Sequence, residues 1–151
     1  MLLTVHASVG IYIGTVIANP WLAFITALIS HLVLDVIPHG DQNIAKEAEK
    51  KITKLSIIAS IDMLGVLILS YFLIFNYLTL SPAIILGIIG SILPDFIWGF
   101  YELTRIKILG WISNRILTYF HELLHFKVSF PVGMIIQIIT LLFFIFLMIG
   151  Q

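Results

Sequence analysis

Residues 129 to 149 form a run of 21 without a single charged side chain, and long apolar runs recur along the chain. Crossing about 30 Å of hydrocarbon takes about 20 such residues in a helix. In that medium only helices and closed barrels satisfy their own backbone hydrogen bonds. The whole composition agrees: of 151 residues, 60% are hydrophobic and 11% charged, against about 25% charged in an ordinary globular domain. A soluble chain of this size has too much exterior to hide that apolar content. The expectation is therefore an all-α integral membrane protein, residues 1–151 forming a single membrane domain.

Eight Lys and Arg balance eight Asp and Glu, which excludes a nucleic-acid binder driven by bulk positive charge. The absence of cysteine excludes disulfides, thiolate metal sites and cysteine nucleophiles. No Lys or Arg precedes the first apolar run and no small-residue cleavage site follows it, so this run is expected to belong to the fold rather than to a removable signal.

The punctuation predicts about five transmembrane helices plus one interfacial amphipathic helix. The first covers 3 to 18 and breaks at Asn19-Pro20, where Asn19 can cap and Pro20 can start the next helix. The second, 20 to 37, stops at Pro38 and Gly40; spans at 55 to 78 and 82 to 100 follow, and the last is 129 to 149. Between 105 and 126, Arg105, Lys107, Asn114 and Arg115 alternate with apolar residues, the pattern of a helix lying in the interface. Lys46, Lys50, Lys51 and Lys54 precede the third helix, and Arg105, Lys107, Arg115 and Lys127 precede the last. Alternating helices bring all eight to one face. The positive-inside rule makes that face cytoplasmic, with the N-terminus inside the cell (inner) membrane and the C-terminus outside.

Ionisable groups within apolar spans are costly and call for a reason. They are His6, His31, Asp35, Asp62 and Asp95, with His39, Asp41, His121, Glu122 and His125 at the rim. His31, Asp35 and His39, spaced i, i+4, i+8, are expected on one side of the second helix. On the alternating topology all of these groups gather in one layer near the cytoplasmic face. Imidazole and carboxylate without thiolate suit Zn²⁺, with Mn²⁺ or Fe²⁺ as alternatives, and more than four ligands leave room for one or two ions. The competing account pairs His with Asp structurally and lets Asp62 cap or bond a neighbouring helix.

The segment His31-Leu32-Val33-Leu34-Asp35-Val36-Ile37-Pro38-His39 resembles the ligand helix of zinc-dependent phospholipase C and the S1/P1 nucleases. With Ser30 in front, it resembles more closely the Ser-His-x-x-x-Asp segment of the inner-membrane-associated metal-dependent hydrolases once described as LexA-binding. His6 resembles that family's His near the N-terminus, and Leu93-Pro94-Asp95 its Leu-Pro-Asp-x-Asp-His segment, although Ile97 and Trp98 stand where the second Asp and the His would be. His121 and His125 resemble its paired His at a spacing one residue shorter, and the segments come in a different order. The resemblance implies a metal-dependent hydrolase.

His121-Glu122-Leu123-Leu124-His125 is also a literal H-E-x-x-H, the pattern of zinc metalloproteases. Its third ligand would have to come from upstream, from Asp35, His31 or Asp95.

Trp21, Trp98 and Trp111 fit interfacial anchoring. Gly10 with Gly14, and Gly87 with Gly90, fit close helix contact. Ile29–Ile37 echoes Ile89–Ile97, aligning Asp35 with Asp95.

The expected function is a membrane-embedded metal-dependent hydrolase acting on a phospholipid or another amphipathic (phospho)ester at the cytoplasmic face. Its metal ligands would come from His6, His31, Asp35, His39, Asp62, Asp95, His121 and His125, with Glu122 or Asp41 as general base. The alternatives are a proton- or divalent-ion-coupled transport or binding protein and an H-E-x-x-H intramembrane metalloprotease.

Overall fold

The structure, a computed structural model, describes residues 1–40, 52–113 and 128–150, and every regular element among them is a helix. In chain order these are α1 (Leu3–Val16), α2 (Pro20–Val36), α3 (Ile52–Asn76), α4 (Pro82–Thr104), α5 (Lys107–Ile112) and α6 (Phe130–Ile149). Of the expected interfacial helix only α5 falls within the described residues; 114–127 lie outside them, as do 41–51.

The boundaries follow local chemistry. Asn19 caps α2, its side chain accepting from the backbone N–H groups of Trp21 and Leu22 at 3.0 and 3.1 Å, and Pro20 occupies the first turn. Ser81 and Pro82 do the same for α4. α2 stops at Val36 because the residue before a proline is driven out of the helical region, and Ile37 is extended at ψ 130°. α4 ends on Arg105, held in the left-handed region at φ 55°.

Three helices among the described residues, α3, α4 and α6, are long and apolar enough to cross a membrane. At 14 and 17 residues α1 and α2 fall short of the length a full crossing requires, so five spans are not supported. The outer surface is compatible with membrane insertion: α2, α3 and α6 turn Ile29, Leu67, Phe75 and Phe146 outward along with many other large apolar side chains.

The shortest of these bundle helices is the centre of the molecule. Ten of the 14 residues of α1 are buried, and α1 packs against α2, α3, α4 and α6. A helix that is apolar all round is one whose whole circumference is covered. α1 runs antiparallel to α4, with Gly14 facing Ala83 and Ile84, and Gly10 facing Gly87. A Cβ at Gly10 or Gly87 would collide with the other's backbone carbonyl, so these glycines set the distance between the two axes. Gly90 brings α4 equally close to the backbone of Phe24 on α2. The two remaining long helices run parallel to α1. Ile11 meets Leu73 of α3 and Met148 of α6 in one apolar cluster, while the first residues of α1 meet Asp62 and Gln137 on those helices.

The beginning of α1 and the end of α2 lie well inside the length of the long helices. From the level of Asp62, Gln137 and Asp95, α3, α6 and α4 continue in the same direction for about 15, 10 and 14 Å at 1.5 Å per residue.

Candidate metal centre

His6 sits in the second turn of α1, His31 and Asp35 one turn apart near the end of α2, and Asp95 directly after Pro94 within α4. Three helices thus bring four side chains to one place. The His6 and His31 rings are stacked, centroids 3.9 Å apart and planes inclined by 20°, and both residues are buried. Nδ1 of His31 lies 2.6 Å from the carbonyl oxygen of Ser91 on α4. A carbonyl only accepts, so Nδ1 carries the proton there, and Nε2 is directed at the carboxylates. It stands 3.1 Å from Oδ2 of Asp35 and 3.7 Å from Oδ1 of Asp95. In the echo between α2 and α4, His31 aligns with Ser91, and these two residues are in contact.

Nε2 of His6 lies 3.2 Å from Oδ1 of Asp35, yet neither ring nitrogen of this fully buried imidazole makes a hydrogen bond. Buried polar atoms left in that condition are rare and costly. Asp35 is close to both Nε2 atoms and also accepts from the backbone nitrogen of Met1 at 3.1 Å. Asp95 is the open side of the cluster, its side chain 30% exposed against 0% and 2% for the two histidines.

His6, His31 and Asp95 can hold a metal ion: one donor atom from each lies within 4.8 Å of the others. Donors on a tetrahedral ion with bonds of about 2.1 Å stand about 3.4 Å apart, close to the 3.7 Å between His31 Nε2 and Asp95 Oδ1. The donors are nitrogen and oxygen, the set that suits zinc, manganese or ferrous iron. The hydrogen bond from His31 Nδ1 to a backbone carbonyl is the outer-shell contact that fixes the tautomer of metal-binding histidines. Three protein ligands leave coordination positions open for water or substrate.

Two expected ligands lie elsewhere. Asp62 is committed to α1: its Oδ2 accepts from the N–H of Leu3 at 2.6 Å, and its Oδ1 from the N–H and the hydroxyl of Thr4 at 3.1 and 2.6 Å. His39 does not continue the face of His31 and Asp35, because α2 has already ended and Pro38 intervenes. Its Nδ1 is 2.8 Å from the carbonyl of Ile37, and its own carbonyl accepts from Gln137 Nε2 at 2.8 Å. Gly133 admits this segment against α6, and Gly40 turns it at φ +70°. Asp41, His121, Glu122 and His125 lie outside the described residues.

Gln137 escaped the sequence reading. Its side-chain oxygen accepts from Leu2 N at 2.8 Å while its amide group holds the His39 carbonyl, so one buried residue ties α6 to α1 and to the exit of α2. Its signal was available, as the single amide side chain in a helix whose one other polar side chain is Thr140.

The chain matches no protein-family model, no curated protein and no solved structure. A helical bundle by itself implies no function.

Proposed function

We propose that the protein is a membrane-embedded metal-dependent hydrolase whose ion, zinc in the first instance, is held by His6, His31 and Asp95. The observation that carries this reading is the buried His6–His31 stack. Two buried imidazoles share the site with two partly exposed carboxylates; one imidazole has its tautomer set by Ser91, and the other meets only Asp35, at 3.2 Å, with no well-directed hydrogen bond through either nitrogen. A divalent cation satisfies both Nε2 atoms and compensates the carboxylates, which are expensive in apolar surroundings without one.

A divalent ion bound there supplies a Lewis acid toward an ester or phosphoester oxygen and makes a bound water acidic. The chain's own groups have separate tasks. Ser91 keeps His31 oriented through Nδ1. Asp35, within 3.2 Å of both Nε2 atoms, completes the charge balance and stands ready to accept a proton from water. Asp95, the most exposed of the four, marks the side from which substrate enters.

Placement supports the substrate class. The site lies about a dozen ångströms below the ends of three long apolar helices, a depth suited to a phospholipid or other amphipathic phosphoester entering head first. The Arg and Lys residues beyond those ends, Arg105 and Lys107 among them, put this side toward the cytoplasm by the positive-inside rule.

The test is metal analysis of detergent-purified protein together with release of product from phospholipid vesicles. Wild type is expected to carry about one equivalent of metal and to hydrolyse the lipid, and His31→Ala and Asp95→Ala to lose both. Wild-type metal content in both variants overturns the metal site. Metal binding with ion uptake into proteoliposomes and no hydrolysis of any lipid or ester overturns the hydrolase and leaves a transporter.

A further inference from the structure

The first turn of any α-helix leaves backbone N–H groups without intrahelical partners. At an interface water takes them; α1 begins inside the bundle, level with a point about 15 Å along α3. Its N-cap position is held by Leu2, which has no side-chain acceptor, and no side-chain cap bond is made within the helix. The missing acceptors come from elsewhere. Asp62 on α3 takes the N–H groups of Leu3 and Thr4 and the Thr4 hydroxyl, and Gln137 on α6 takes the N–H of Leu2. A carboxylate at a helix N-terminus also meets the positive end of the helix dipole, an interaction strengthened where the surroundings are apolar.

These bonds fix two quantities. Their directions set the rotation of α1 about its axis, and their position along α3 sets its height. Glycines further along cannot do this alone. Gly10 and Gly14 let α1 approach α4 closely, but they lie about one and two turns past His6 and make no directional bond. His6 is two residues past Thr4, so any slip or rotation at the first turn carries its ring away from His31. The Thr4 side chain reinforces the link from its other side: a Cβ on Gly65, one turn beyond Asp62, would collide with the Thr4 hydroxyl.

We infer that Asp62 is the positioning residue of the metal centre: as a cap donated by another helix, it holds α1 in the register that places His6 against His31. This rests on the metal-binding reading proposed above, and the two fail differently.

The experiment measures Zn²⁺ affinity by competition with a chromophoric chelator, and the visible d–d spectrum of the Co²⁺-substituted protein. The variants are Asp62→Ala, Asp62→Asn, Thr4→Val, His6→Ala and Ile11→Ala, the last removing buried bulk from α1 far from the cap. Asp62→Ala is expected to weaken Zn²⁺ binding about 10–100-fold, the usual range for loss of an outer-shell partner, and to alter the Co²⁺ spectrum. Asp62→Asn keeps one acceptor for the helix and is expected to recover most of the affinity; Thr4→Val falls between them. Ile11→Ala is expected to lower thermal stability and leave affinity and spectrum unchanged. Should Asp62→Ala fail to fold, the Asp62→Asn and Thr4→Val spectra decide.

Wild-type affinity and spectrum in the cap variants, with affinity lost in His6→Ala, overturn the positioning role and leave the metal site standing. The same holds if Ile11→Ala loses affinity in proportion to stability as the cap variants do. Wild-type affinity in His6→Ala overturns the metal site itself.

Discussion

At its beginning α1 is held by bonds with direction: Asp62, Gln137 and Asp35 reach it from three other helices within its first two turns. From Gly10 onward the same helix is held by shape, glycine backbone against glycine backbone and Ile11 against Leu73 and Met148. The two ends divide the labour. Small residues set how near α1 comes to α4, whereas polar residues set where along and around its axis it stops. Close packing sets the distance between two axes, whereas a carboxylate accepting two backbone N–H groups also sets direction. The proposed metal site lies at the directional end, where ligand atoms have to be placed to within about half an ångström.

The largest effect is expected at the packed end. Gly10→Leu or Gly87→Leu inserts a branched side chain where a single Cβ already meets a backbone carbonyl of the opposite helix. The helices must separate, and overpacking of a closed contact costs about 3 kcal/mol or more. Neither variant is expected to give a cooperative thermal transition in detergent. A melting temperature near that of wild type breaks the division drawn above.

At the directional end the expected loss is of the ligand before the fold. A metal bound at a hundred times its Kd stabilises the folded state by about 2.7 kcal/mol, so zinc is expected to raise the melting temperature of wild type. In His31→Ala that rise disappears, while the chelated proteins melt within a few degrees of each other. An equal rise in the variant shows zinc to act elsewhere. Asp95→Asn is milder, because the amide oxygen remains a donor and only the charge is removed. Its Zn²⁺ affinity is expected to drop, by less than in His31→Ala, and an unchanged Kd removes Asp95 from the ligand set.

The sequence made local features legible and hid those that depend on a neighbour. Asn19-Pro20 announced a helix start because a cap and its targets are two or three residues apart. His6, His31 and Asp95 drew attention because an ionisable group in an apolar helix has no cheap local explanation. Asp62 attracted the same suspicion, yet its partners, Leu3 and Thr4, lie 58 or 59 residues away, and spacing cannot distinguish a cap given to another helix from a ligand given to an ion. His39 was assigned to the face of Asp35 by counting turns through Pro38. The proline rule, applied one residue earlier, ends the helix before that count is complete. Helix length was legible too, but the apolar character of α1 and α2 suggested spans, whereas in α1 it reflects burial against protein on every side.

The smallest effect tests whether the two ends are independent. Asn19 lies at the far end of α1 from the candidate metal centre, in the turn that leads into α2, and its side chain accepts from Trp21 and Leu22 in an exposed setting. Asn19→Ala removes a local cap and nothing else that touches the site, at a cost of about 1 kcal/mol. If the register of α1 is set by Asp62 and its backbone distance by Gly10 and Gly87, fraying the start of α2 leaves His31 and Asp35, more than two turns further along, where they are. A modestly lower melting temperature with unchanged Zn²⁺ affinity and Co²⁺ spectrum is therefore expected. A change in the spectrum would mean that the α1–α2 turn also bears on the placement of His6, and that the directional end does not act alone.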